Sequence, residues 1–234
     1  MSNLFKIVRA GMLTSALAVS GGTSSAFADV TARYGELQAV IDAINDPDPL
    51  MRLAQLEAIL KKGDATEVQL AIRTAFQLDD PNVRSLALRA HFASFRTFLI
   101  TAELPEKIQK EMEDENSGWY DNYLYKYLRS MGYQFKMQSE YPSTDELEFQ
   151  IKALNGNFQD SDQKKYTGTG NIRGGMLTVV SNVYKSGSPQ RCSFEFTEYH
   201  GFTMAGMASC DMDYSFQFPV RFHLFDDDSL PKTD

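Results

Sequence analysis

The sequence predicts an α+β protein in which a stack of antiparallel helices leads into a small antiparallel β-sandwich or partly open barrel with one disulfide. Three observations predict it. Apolar residues recur at helical spacing from Tyr34 to about Met131. From about Tyr141 they alternate with polar residues, the period of a strand. Two cysteines, Cys192 and Cys210, lie nine residues either side of Gly201, the spacing of a hairpin that pairs them.

Ahead of the helices, residues 1–28 read as a secretory signal peptide. Lys6 and Arg9 form a short cationic segment, and Gly11 to Val19 is an apolar run too short to span a bilayer. Ala26-Phe27-Ala28 supplies the small-x-small pattern of a cleavage site, with Asp29 as the new N-terminus. There is neither a twin arginine before the apolar run nor a cysteine at the cleavage site, so general export without a lipid anchor is expected. The leader holds two of the 23 basic residues and none of the 31 acidic ones, leaving an exported chain with a net charge near −10. A nucleic-acid partner would call for a basic patch, and none is evident. No later run of 18 apolar residues exists, so the mature chain is expected to carry no integral membrane segment. The expected location is periplasmic or secreted.

Residues 29–135 read as the helical domain. Leu37, Val40, Ile41 and Ile44 form one stripe, and Leu53, Leu56, Ile59 and Leu60 a second. Val68, Ile72 and Phe76 form a third, and Leu88, Phe92, Phe95 and Leu99 a fourth. One phrase occurs twice: Asp48-Pro49-Leu50-Met51-Arg52 returns 32 residues later as Asp80-Pro81-Asn82-Val83-Arg84. Asp caps the helix by accepting a backbone N–H, and Pro at the first helical position forfeits no hydrogen bond. The Arg one turn in can reach a carboxylate of its own or the neighbouring copy.

The phrase resembles HEAT-like repeats, in particular the short variety whose second helix opens with Asp-Pro-x-Val-Arg, over roughly residues 34–100. The first copy departs from it with Met51 where Val is usual. Two copies are fewer than a solenoid needs, so other elements must cap the stack. The resemblance implies a helical-repeat fold and a habit of binding other molecules, with no specific activity. The candidate cap is an aromatic helix bounded by Asn116/Ser117 and Gly132, with Trp119, Tyr120, Tyr123, Leu124, Tyr127, Leu128 and Met131 on one face. Trp119, Tyr120, Tyr123 and Tyr127 are also the candidate interaction surface, since such rings make partner hot spots when exposed.

Residues 141–225 read as the β domain. Leu147, Phe149 and Ile151 alternate with Glu148, Gln150 and Lys152; Thr167–Ile172 and Met176–Val183 form a hairpin about Gly174-Gly175. Between Cys192 and Cys210 the disulfide register also opposes Phe194 to Ala208 and Phe196 to Gly206, large against small on one face. Met212 to Leu224 keep the alternation, with Pro219 suggesting an edge or bend, and residues 226–234 form an acidic tail.

A search for chemistry is mostly empty. His91 reads as a packed, hydrogen-bonded residue beside an apolar stripe, His200 as a turn residue and His223 as lying on a polar strand face. No His-Glu-x-x-His or Gly-x-Ser-x-Gly pattern occurs, and Gly168-Thr169-Gly170 lacks the continuation of a phosphate loop. Asp160-Ser161-Asp162 with Asn157 is a weak calcium arrangement without the loop that holds that ion. Glu195 and Glu198 are a possible acid pair for glycoside cleavage. No catalytic set, metal or cofactor is therefore expected. The expected function is a non-enzymatic binding or scaffolding protein recognising a protein or envelope component. The alternatives are a carboxylate-dependent envelope polysaccharide hydrolase and a carrier of small apolar ligands in the β domain.

Overall fold

The computed structural model describes residues 23–118, 128–129, 132–140, 142–154, 167–185, 188–211 and 216–225. The chain divides into two compact units, Met1–Glu36 and Leu37–Asp234. The first holds the start of α1 (Thr23–Ile44), where Arg33 pairs with Glu36 at 2.9 Å. Helix α1 includes the expected cleavage site at Ala26–Ala28.

The second unit opens with the rest of α1, followed by α2 (Pro49–Lys62), α3 (Ala65–Gln77) and α4 (Pro81–Ser94). Each helix is started by an aspartate. Asp48 accepts from the Leu50 and Met51 amides, and Asp80 from those of Asn82 and Val83. Asp64 forms a reciprocal capping box with Glu67. In both Asp-Pro phrases the proline is the first helical residue.

Eight antiparallel strands follow: β1 (Thr97–Ala102), β2 (Gln134–Ser139), β3 (Glu148–Leu154), β4 (Gly168–Arg173), β5 (Met176–Lys185), β6 (Ser188–His200), β7 (Thr203–Cys210) and β8 (Phe216–His223). Helix α5 (Glu106–Glu113) lies between β1 and β2. Each strand pairs with the next, and β1 pairs with β8, so the sheet is a closed barrel.

This corrects two expectations. The helical reading of 29–135 is interrupted after Ser94, because Thr97–Ala102 is a strand rather than the end of the fourth stripe. Its signal is an alternation, with Phe98 and Ile100 inward and Thr97 outward, which the helical spacing of Phe95 and Leu99 masked. The sandwich or partly open barrel becomes a closed barrel for the same reason. Strands β2 to β8 alone would leave two edges, and β1 pairs with both. Helices α2 to α4 and the barrel belong to one compact unit.

Phe92 on α4 explains that union. Its ring centroid lies 4.3 Å from Phe98 of β1, 4.5 Å from Phe149 of β3 and 5.7 Å from Phe222 of β8. The helix thus contributes a core residue to the barrel. At its other end, α4 grips the β4–β5 turn, where Ser85 Oγ accepts from the Gly175 amide at 2.6 Å. Arg84 stacks on the Tyr199 ring at 4.4 Å, and the Tyr199 hydroxyl donates to the Gly175 carbonyl.

The expected hairpin register is present: Cys192 faces Cys210, Phe194 faces Ala208 and Phe196 faces Gly206. The means differ from a turn centred on Gly201 alone. His200 pairs with Thr203 around the two-residue turn Gly201-Phe202, and a bulge at Thr197 absorbs the extra residue. Gly201 takes φ +61°, the left-handed conformation that glycine adopts without strain. The cysteines are joined in a disulfide and are 1% exposed. Cys192→Ser is expected to destabilise the fold by about 2–3 kcal/mol, because the bridge closes a loop of 18 residues in the unfolded chain. Equal denaturation midpoints for parent and variant under oxidising conditions would contradict this.

Candidate functional site

The twice-repeated phrase is a helix-docking device. Arg52 donates to Asp80 Oδ2 at 2.8 Å, tying the first copy to the second, and to the Asp46 carbonyl at 2.9 Å. Burial would raise the Asp80 carboxyl, but the Arg52 bond and the Val83 and Asn82 amides outweigh it and hold the group below its ordinary 3.8. Arg84 turns instead to Asp79 and Tyr199. Asp48, Pro49, Arg52, Asp80, Pro81 and Arg84 thus position helices.

The barrel axis is filled by rings. Phe135 contacts Phe194 and Phe218, and Phe196 contacts Phe222, at centroid separations of 5.4–6.4 Å. All five rings are fully buried. The outward positions include Lys136, Glu148, Gln150, Lys152, Arg173 and Glu195, which face water. A barrel that crosses a membrane reverses this pattern, with an apolar band outside.

A depression lies outside, where the β2–β3 connection meets the α4–β1 junction. It is a cleft of about 970 Å³. Arg96, Glu140, Asp145, Glu146, Glu148, Lys152 and Arg173 supply its charges, and Leu147 with Phe149 an apolar strip. Lys152 pairs with Glu140, and Arg173 approaches Glu148 at 3.8 Å. Asn171 also donates to Glu148, at 3.2 Å. The wall breaks at a β-bulge between Gln138 and Ser139. Ser139 is 2% exposed, its amide donates to the Arg96 carbonyl, and its hydroxyl has no hydrogen-bond partner. Bulges recur where a strand re-aims a side chain beside a site.

A second, smaller cavity of about 220 Å³ sits between α3, α4 and the β1/β8 end of the barrel. His91 lines it, 1% exposed, amid the rings of Phe76, Phe95, Phe98 and Phe225 at 4.7–5.8 Å. The expectation of a packed residue holds for His91, whereas the hydrogen bond does not: neither ring nitrogen has a partner. Burial pushes the imidazole down to about 4; the Leu224 backbone opposes this without reaching hydrogen-bond geometry, and the Arg73 charge adds to it. An unpaired buried polar group of this kind costs about 1–3 kcal/mol. His223 lies on the outward phase of β8 as expected but is buried, with Nε2 3.0 Å from Thr101 Oγ1. His200 sits at the β6–β7 turn, where its carbonyl accepts from Thr203.

Glu195 and Glu198 are on the exposed side of β6, away from both depressions. Trp119, Tyr120, Tyr123 and Tyr127 lie outside the described residues, as do Asn157, Asp160–Asp162 and the acidic tail. Gly132, the expected helix terminus, has φ +61° and donates to the Arg129 carbonyl, as a helix-ending glycine does. Among the described residues no group of three or more His, Cys, Asp or Glu is placed to hold a metal ion, and no helix is long and apolar enough to cross a membrane.

Arg96, Ser139, Glu140, Arg173, Gln69 and Arg73 carried no signal in the sequence. They come from separate elements and meet only when the barrel closes. No protein-family model matches the chain, and no curated protein or solved structure matches it.

Proposed function

We propose that this chain is an exported, non-enzymatic binding or scaffolding protein that holds a protein or envelope component in the external cleft. The observation that carries this reading is a contrast: the barrel axis is filled by phenylalanine rings, whereas a cleft of about 970 Å³ with alternating charges opens on the outside. Recognition surfaces of mixed charge select a complementary partner and its orientation. Export is supported by the pattern of residues 1–28 and by the Cys192–Cys210 disulfide, a bond that persists in oxidising compartments. In this reading α2 to α4 are a short HEAT-like run capped by the barrel, and Phe92 is the joint between them.

Lys152 and Arg173 are exposed, so Lys152→Glu with Arg173→Glu should leave the fold intact while reversing one sign of the cleft. In a pull-down from the envelope fraction, a stoichiometric component retained by the parent should be lost by this double variant. Equal retention by both would place recognition elsewhere. The hydrolase reading draws on the same cleft, whose four carboxylates could furnish an acid pair. It requires polysaccharide cleavage that Glu140→Gln or Glu146→Gln abolishes.

A further inference from the structure

We infer that the outward face of α2 is a self-association surface, on which a second copy of this chain packs its own α2 antiparallel about a two-fold axis at Ala54. The face shares no residue with the external cleft.

Leu50, Met51, Ala54, Glu57, Ala58 and Lys61 fall within one arc of about 120° around α2, and all six are exposed. Leu50 is 77% exposed and Met51 48%. The opposite side of the helix packs Leu53, Leu56, Ile59 and Leu60 on the core. Four of the six outward residues are apolar, on the side of an amphipathic helix that is ordinarily polar.

The second copy of the Asp-Pro phrase treats the same positions differently. Val83, Leu86 and Ala90 of α4 hold the places of Met51, Ala54 and Ala58, and all three are buried. The capping aspartates differ in the same sense. Each uses Oδ1 for the amides of its own helix, and Asp80 Oδ2 also accepts from Arg52. Asp48 Oδ2 takes no cation among the described residues. The first copy thus carries the apolar stripe and the acceptor of a packed helix, and leaves both open.

The arrangement along α2 names the occupant. Asp48 and Lys61 lie symmetrically about Ala54-Gln55, and so do Met51 and Ala58. When two α2 helices run antiparallel through that point, Met51 of each sits on Ala58 of the other, large against small. Ala54 meets Ala54 at the axis, where the short side chain lets the backbones approach. Asp48 of each then faces Lys61 and Lys62 of the other, and the two helix dipoles oppose. Lys61 is 70% exposed and held only loosely by Glu57, at 3.9 Å, so it is free to turn to that carboxylate. A parallel pairing would set Asp48 against Asp48 and lysine against lysine. One helix face is small for an interface, so the dimer is weak, with a Kd of about 10–100 µM.

Sedimentation of the purified protein from about 1 to 300 µM should show the average mass rising from one chain toward two. Ala54→Glu puts two carboxylates at the axis while keeping a good helix former at an exposed position. It should stay monomeric throughout, with an unchanged thermal midpoint. Lys61→Glu opposes like charge to Asp48 and should weaken the dimer by about tenfold, which serves should Ala54→Glu fold poorly. Cys192 and Cys210 are joined, so Ala54→Cys introduces a lone free thiol. Under mild oxidation it should link two chains at least about tenfold faster than Met207→Cys, an exposed position on β7. The Lys152→Glu/Arg173→Glu cleft variant should dimerise as the parent does, so the two proposals fail independently. A single-chain mass at about 300 µM, a dimer that survives Ala54→Glu, or equal cross-linking of the two cysteine variants would each overturn the surface.

Discussion

Phe92→Ala is expected to cost about 3–5 kcal/mol and to lower the helical and barrel transitions together. The side chain is fully buried, yet it belongs to a helix while its contacts belong to three strands. Truncation removes the apolar surface and leaves a cavity bordered by Phe98, Phe149 and Phe222 that those rings can collapse into only in part. Phe149 packs over Gly170, its partner across β3 and β4, where an added Cβ would overlap the ring. Urea denaturation followed by far-ultraviolet circular dichroism for the helices and near-ultraviolet for the packed aromatics measures both halves at once. Coincident midpoints in parent and variant are the outcome one cooperative unit requires. A helical transition that moves while the barrel transition stays would show two independent domains.

The same residue shows what could be read in the sequence and what could not. Helices α2 and α4 announce themselves because an aspartate cap and a first-turn proline act within four residues of chain. The β6–β7 hairpin is legible because the disulfide and the large-against-small pairing fix one register independently. Phe92 itself is visible as part of a helical stripe, but nothing local says that the stripe faces a barrel. Leu99 falls four residues after Phe95 and so extends the helical pattern into β1, although the helix stops at Ser94. Closure was hidden for the same reason, since it depends on Leu99–Ala102 meeting Val220–His223 more than 100 residues away. Both depressions are products of that closure. The cleft joins the α4–β1 junction to β2, β3 and β4, and the cavity joins α3 and α4 to β1 and β8. Charge alternation in Glu148, Gln150, Lys152 could be read as the wet side of a strand, and that is where these residues lie. Their neighbours across the cleft had no pattern to betray them.

Acidification should weaken the fold by about 3 kcal/mol between pH 6.5 and pH 4, through His91 alone. In the unfolded chain this imidazole titrates near its ordinary 6.5; in the folded protein burial, reinforced by the Arg73 charge, holds it down to about 4. Between those values the unfolded chain binds a proton that the folded one does not, so stability falls as pH is lowered through the window and is fully present above it. The charge beside the ring acts the same way: Arg73 on α3 repels a second positive charge. Asp80, held below 3.8 by Arg52 and two backbone amides, contributes its own loss only at still lower pH. His91→Phe isolates the effect, because it keeps the aromatic contacts with Phe76, Phe95 and Phe225 and cannot be protonated. Its stability near pH 7 should be no lower than that of the parent, since the unpaired nitrogens are gone. Its acid slope across this window should be flatter by about one proton. Parallel slopes for parent and variant would mean that the ring takes up its proton in the folded state as readily as in the unfolded one, and the cavity would then be wet.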